Sequence, residues 1–208
     1  MKKNLLVFIM ACFLPINHAS AASFTNGSFE INSYSSLGSF IGLSAGSTSI
    51  YGWDISDGGV DYIHTYWDAA DGDFSLDMAR SAPGTISQTF DTVLNHTYKV
   101  TFSLSGNFHL APAIKNLLVS AGNSFQTYTF DSTTATTHNM GWVDKEFTFT
   151  AADAYSTLTF KSISEGAAGP ALDNVRVVDL GTTPAPEPSS FILGLMGLSS
   201  FLGLKRKK

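Results

Sequence analysis

Apolar and polar residues alternate with a period of two along much of the chain, most cleanly at Tyr98–Leu104. Successive side chains of a strand point to opposite sides, so Tyr98, Val100, Phe102 and Leu104 share one face and Lys99, Thr101 and Ser103 the other. The same reading predicts strands at Ile50–Ile55, Val60–His64, Thr85–Phe90, Leu117–Ala121, around Phe125, Tyr128 and Phe130, at Trp142–Thr150 with Phe147 and Phe149 inward, around Leu158 and Phe160, and at Ala171–Val178. Phe74, Leu76 and Met78 alternate with Ser75 and Asp77, which predicts a half-buried strand. Asn26-Gly27, Asp71-Gly72 and Pro83-Gly84 mark turns, and the Ser- and Gly-rich stretch from Asn32 to Ser49 reads as loop or weak strand. About eight to ten short strands at sandwich-like spacing, with no amphipathic helix of useful length, predict an all-β, two-sheet jelly-roll-like β-sandwich. No repeat of 20–50 residues is present, which disfavours solenoids and propellers.

Both ends break this pattern. Met1-Lys2-Lys3 precedes an apolar core at Leu5–Leu14 and the small residues Ala19-Ser20-Ala21-Ala22. That order predicts a secretory signal peptide over residues 1–22, cut by signal peptidase after Ala21 or Ala22. At the other end, Pro184-Ala185-Pro186-Glu187-Pro188 is followed by the uncharged run Phe191–Leu204 and by Lys205-Arg206-Lys207-Lys208. The run is shorter than the roughly 20 residues that cross a bilayer comfortably. Snorkelling of Lys205 and Arg206 and local bilayer thinning cover the deficit. The cations stay on the cytoplasmic side, which places everything upstream outside. A C-terminal helix buried in the domain is the alternative, and four consecutive cations after a glycine-spaced apolar run suit a membrane edge better. The expected organisation is therefore a signal at 1–22, a β-sandwich at 23–181 and a tail at 182–208.

Pro186, Glu187 and Pro188, the apolar span and the basic end, in that order, resemble the PEP-CTERM sorting signal of exopolysaccharide-producing Gram-negative bacteria. The resemblance implies recognition and cleavage by an exosortase, a membrane protease-transpeptidase. It also implies transient anchoring in the inner membrane by a transmembrane sorting helix, then residence at the cell surface or in the extracellular matrix.

Composition narrows the partners. Charged residues are 14% and aromatics 12% of the chain, and Gly, Ser and Thr are abundant, as suits an exported all-β domain. The formal net charge is -5, yet Ser23–Pro184 holds only six cations against sixteen acids, a balance of -10. Phosphate contact needs clustered Lys and Arg, so nucleic-acid binding is excluded and acidic substrates are disfavoured. Neutral glycans and divalent cations remain. Cys12 is the one cysteine and leaves with the signal, so the mature domain has no disulfide and is stabilised by its core or by a bound ion.

Across the domain, Asn26-Gly27-Ser28-Phe29-Glu30, Gly52-Trp53, Val60-Asp61-Tyr62-Ile63, Tyr66-Trp67-Asp68-Ala69-Ala70-Asp71-Gly72, Ser75-Leu76-Asp77, Pro83–Phe90 and Pro170-Ala171-Leu172-Asp173-Asn174-Val175 resemble, as an ordered set, the choice-of-anchor C family. That family is close to the DUF642 domains of plant cell walls and to galactose-binding-like jelly rolls. The chain departs from it at Asp77-Met78-Ala79-Arg80, which lacks the usual glycine, and at Asp73-Phe74, which replaces a more polar pair. In related carbohydrate-binding jelly rolls an acid after the first strand and one near the last help hold structural Ca²⁺. The resemblance therefore implies that Glu30 and Asp173 lie close in space and contribute oxygens to calcium. The alternative is that each accepts backbone N–H bonds.

Trp53, Tyr62, His64, Tyr66 and Trp67 sit among Asp54, Asp57, Asp61, Asp68, Asp71 and Asp73. Sugar recognition uses such a mixture: rings stack on the apolar face of a pyranose and carboxylates accept its hydroxyls. The candidate ligand residues are Trp53, Asp61, His64, Trp67 and Asp68, with Trp67 and His64 expected as an exposed pair. The competing reading puts most of the aromatics in the core. No Gly-x-Ser-x-Gly elbow or metal-spaced histidine set is present, and His96, His109 and His138 fall in apparent turns. The expectation is a non-catalytic module that binds or sits in exopolysaccharide. The alternatives are a purely structural surface protein, and a polysaccharide hydrolase or lyase using a carboxylate pair such as Asp61 and Asp68.

Overall fold

Eleven strands build two antiparallel sheets in a computed structural model that describes residues 23–182. They are β1 (Phe40–Leu43), β2 (Asp54–Asp57), β3 (Val60–Ile63), β4 (Ser75–Asp77), β5 (Gly84–Asp91), β6 (His96–Gly106), β7 (Ile114–Ala121), β8 (Ser124–Asp131), β9 (Val143–Thr150), β10 (Tyr155–Ser162) and β11 (Pro170–Thr182). One sheet has the order β1-β3-β4-β11-β6-β9 and the other β2-β5-β10-β7-β8. The signal peptide, the sorting motif Pro186-Glu187-Pro188 and the apolar span expected from sequence lie outside the described residues. Among the described residues no helix is long and apolar enough to cross a membrane.

Period-two burial makes the core. Along β6, Tyr98, Val100, Phe102 and Leu104 are buried, and Phe147 and Phe149 of β9 and Leu158 and Phe160 of β10 turn inward with them. Phe102 meets Phe160 edge-on at 5.3 Å and Tyr128 at 5.1 Å, so rings from both sheets interlock between the layers. The N-terminal segment is drawn in by the side chain of Gln88, which accepts from Thr25 N and donates to Thr25 O. Gly27 packs so closely on the last strand that a Cβ there would lie 1.8 Å from the carbonyl oxygen of Val175.

Several elements differ from the sequence expectation. The strand expected at Ile50–Ile55 begins at Asp54, because Ile50 instead bridges Asn32. The Ser- and Gly-rich stretch contains β1. Phe125 begins a strand as expected but is 76% exposed, since it faces outward on edge strand β8. His96 lies in β6 rather than in a turn, half-buried and 2.9 Å from Asp179. Strand β4 is buried on both faces. Ser75 and Asp77, the expected solvent side, are fully buried because loops from distant parts of the chain fold over that face.

Candidate functional site

The loops that cover the outward face of the six-stranded sheet form the candidate site. Ile63 of β3 and Ala171 of β11 carry a second small apolar cluster on that face, completed by Trp67 and Met140 and flanked by Tyr66, Phe108 and Trp142. Trp67 donates its indole N–H to Ser75 Oγ at 2.9 Å, and Trp142 donates to the backbone oxygen of Asp68 at 3.0 Å. The indoles therefore pin the Thr65–Phe74 loop onto the sheet.

Two carboxylates hold the same loop from either side. Asp173 Oδ2 accepts from Ala70 N and Asp71 N at 2.8 and 2.9 Å, while Glu30 Oε1 accepts from Asp73 N and Phe74 N, each at 2.9 Å. Gly72 passes between these anchors with φ +69°, and a Cβ on it would sit 2.3 Å from Glu30 Oε1. Glu30 and Asp173 do converge on one structural feature, but on its N–H groups. Glu30 Oε2 takes no hydrogen bond among the described residues, while Asp173 Oδ1 accepts from Asn174 N; a calcium shell takes six to eight oxygen ligands. Among the described residues no three His, Cys, Asp or Glu side chains group as a metal site. Glu30 and Asp173 thus make the backbone N–H contacts of the alternative reading, and calcium at this pair is a separate proposal that chelation tests.

Beside this loop lies a recess of about 170 Å³ lined by Phe40, Asp61, Ile63, Tyr66, Asp77 and His109, among others. Its aromatic wall is continuous: Phe40 and Tyr66 ring centres are 5.2 Å apart, and Tyr66 and His109 are 5.0 Å apart. Asp61 and Asp77 are directly opposed on β3 and β4. Asp77 is fully buried and fully engaged, accepting from Ala79 N, Gly169 N and Asn107 Nδ2. Burial pushes its carboxyl up to about 7, against the pull of those three donors. Buried Lys115 braces the recess from behind by donating to the carbonyls of Leu110 and Ala168. Asp61 is different. It is half-buried, its carboxylate accepts no hydrogen bond among the described residues, and burial raises its pKa to about 6 although the Arg80 charge opposes this. A half-buried carboxylate without a donor is open to a donor from outside.

A second, more open depression of about 460 Å³ lies on the other side of the loop, where Asp68 and His138 approach to 3.4 Å beside His64, Gly72 and Asp73. Asp61 and Asp68 thus open into different depressions. His64 is half-buried, stacked on Phe74 at 4.9 Å, with Phe74 in turn stacked on Tyr62 at 4.8 Å. Trp67 is 1% exposed, so the exposed Trp67–His64 pair expected from sequence does not form; the indole is consumed by the loop it pins. Trp53 is likewise buried, in the main core, donating to the backbone oxygen of Asn26. Phe40, Asp77, Asn107 and His109 were not among the sequence candidates. Their proximity comes from strand order and loop return, which no local pattern of the sequence signals.

A two-sheet antiparallel sandwich with an acidic, aromatic-walled recess under its outward loops is the class of domain these elements define. The chain belongs to the family described as "Protein of unknown function (DUF642)", whose model matches residues 22–178. Halomucin of Haloquadratum walsbyi is 35% identical over 159 residues; the match covers 74% of this chain and 2% of that protein, so the chain spans a small fraction of its curated relative. A family 61 carbohydrate-binding module solved with β-1,4-galactotriose aligns at 13% identity over 77% of this chain and 99% of its own, with a TM-score of 0.49. A family 35 module from Clostridium thermocellum aligns at 13% over 67% and 98%, TM-score 0.45. The CBM22-1 xylan-binding domain of Paenibacillus barcinonensis aligns at 18% over 69% and 95%, TM-score 0.44.

Proposed function

We propose that the domain is a non-catalytic carbohydrate-binding module whose primary site is the Asp61 recess. The observation that carries this reading is Asp61 itself, a carboxylate with no donor among the described residues, at the foot of the Phe40–Tyr66–His109 wall. A sugar supplies both missing partners at once: hydroxyl donors for the carboxylate and an apolar ring face for the aromatics. A hydrolase needs two free carboxylates across one cavity. Asp68 opens elsewhere, and Asp77 already accepts three hydrogen bonds, so the geometry favours binding over turnover. The decisive experiment uses the full chain in mild detergent against soluble neutral polysaccharides. Asp61→Asn and Tyr66→Ala should each weaken binding by roughly tenfold, with no release of reducing ends from any sample. Unchanged affinity in both variants refutes the recess, and turnover refutes the non-catalytic reading.

The reading extends to the whole chain as an exported matrix or surface module, sorted by an exosortase through its PEP-CTERM-like tail into exopolysaccharide. The order of the signal-like start, the acidic domain and the apolar, cation-tipped end supports it.

A further inference from the structure

The opposite side of the molecule carries a feature that the recess does not explain. Along β10 the residues Ser156, Leu158, Phe160 and Ser162 are buried, so Tyr155, Thr157, Thr159 and Lys161 point outward from the five-stranded sheet. Register places Ser120 beside Thr159, Phe125 beside Ser120, and Asp91 beside Tyr155. Between them lies an open depression of about 370 Å³, lined by Tyr155, Ser120, Thr157, Thr159 and Asp153. Tyr155 is 58% exposed and Phe125 is 76% exposed. Two large rings are thus held out to solvent beside the hydroxyls of Ser120, Thr157 and Thr159, with Ile114 and Leu118 further along the same face of β7.

The charge on this face selects its occupant. Among the described residues, Lys161 on this face is tied to Asp57 at 3.0 Å, while the acid Asp153 lines the depression and Asp91 lies beside Tyr155. A polyanion finds no counter-charge there. Hydroxyl groups find acceptors in two carboxylates and partners in a row of Ser and Thr, and a pyranose face finds the exposed rings.

We infer that this outward face is a second carbohydrate site, specific for a neutral pyranose polymer. Tyr155 is its stacking platform, with Asp91, Asp153 and the Ser120–Thr157–Thr159 hydroxyls reading the sugar edge. The outward faces of two stacked sheets look in opposite directions, so a molecule with both sites holds two polysaccharide chains at once and acts as a cross-linker.

The test is retention of the full chain, in mild detergent, on powdered cellulose, insoluble β-1,3-glucan and insoluble mannan, with calcium alginate as the anionic control. The expected result is retention on at least one neutral polymer and not on alginate. Tyr155→Ala should lower that retention by roughly tenfold with an unchanged melting midpoint. Asp61→Asn should leave the Tyr155-dependent part intact, and clustering of polymer-coated beads should need both faces. Retention that Asp61→Asn removes and Tyr155→Ala and Phe125→Ala leave untouched overturns the second site while the recess stands. Retention on no neutral polymer overturns both. A dimer that Tyr155→Ala converts to monomer identifies the face as a self-association surface instead and also overturns the inference.

Discussion

Asp77 and Asp173 are carboxyls on the covered side of a sheet, and burial pushes each up to about 7 against the donors that hold it. An unfolded aspartate releases its proton near 3.8, the ordinary value, so between about 4 and 7 the folded protein holds more protons than the unfolded chain. Their stabilising effect is therefore complete below that window and is lost as pH rises through it. Asp57 and Asp179 work the other way: hydrogen bonds from Thr85 to the first and from Gly181 N to the second hold them below the usual range, so their contribution fades only in stronger acid. Thermal melts should accordingly show a higher midpoint at pH 5 than at pH 8, and Asp77→Asn should shrink that difference. Asp61, raised to about 6, titrates at the recess rather than in the core. Sugar affinity at that site should rise between pH 5 and 7 as its carboxylate forms, and Asp61→Asn should flatten the profile.

At the scale of elements, the Thr65–Phe74 loop is the part on which the site depends. Replacing Asp173 by Ala leaves Ala70 N, Asp71 N and Asn174 N without their acceptor and should cost at least roughly 1–3 kcal/mol in urea denaturation. Gly72→Ala should be comparably harmful, because the new methyl meets Glu30 Oε1 and the backbone is already left-handed there. Chelator treatment separates the two readings of Glu30 and Asp173: N–H anchoring alone leaves the melting midpoint of the wild-type chain in place, whereas removal of a bound calcium ion lowers it. These same elements show what could be read from the chain. Strand β6 declares both of its faces in its alternation, because one face packs into the core and the other stays polar. Strand β4 has the same alternation and a different fate. Ser75 and Asp77 are covered by Trp67, Asn107 and Gly169, which arrive from loops before and long after it. A two-residue period reports which side a residue takes, not what later folds over that side. For the same reason Asp61 was legible as a ligand candidate, whereas Trp53 and Trp67, equally rich in chemistry, were claimed by packing.

On the scale of the whole molecule, the two-layer architecture was legible because many short alternating segments without helices have few ways to bury their apolar faces. The pairing order β1-β3-β4-β11-β6-β9 was not, since it rests on contacts between remote parts of the chain. The proposed export is tested at this scale too. Mass spectrometry of the extracellular form should find a chain that begins at Ala22 or Ser23 and lacks the cationic end; recovery of the full-length chain from the cytosol would contradict both sorting segments.

The long last strand has a mechanical consequence. Strand β11 runs beside β6 from Pro170 to Thr182 and is flanked near its start by β4 as well. A pull on Thr182 along the axis of β11 loads its ladder with β6 in shear, so many of those bonds must slide together rather than open one by one. If the proposed recess grips polymer while the C-terminus is held, the load falls in the direction in which a sheet tears least readily. In an optical trap, extension from that end should meet a higher rupture force than extension through the edge strand β8.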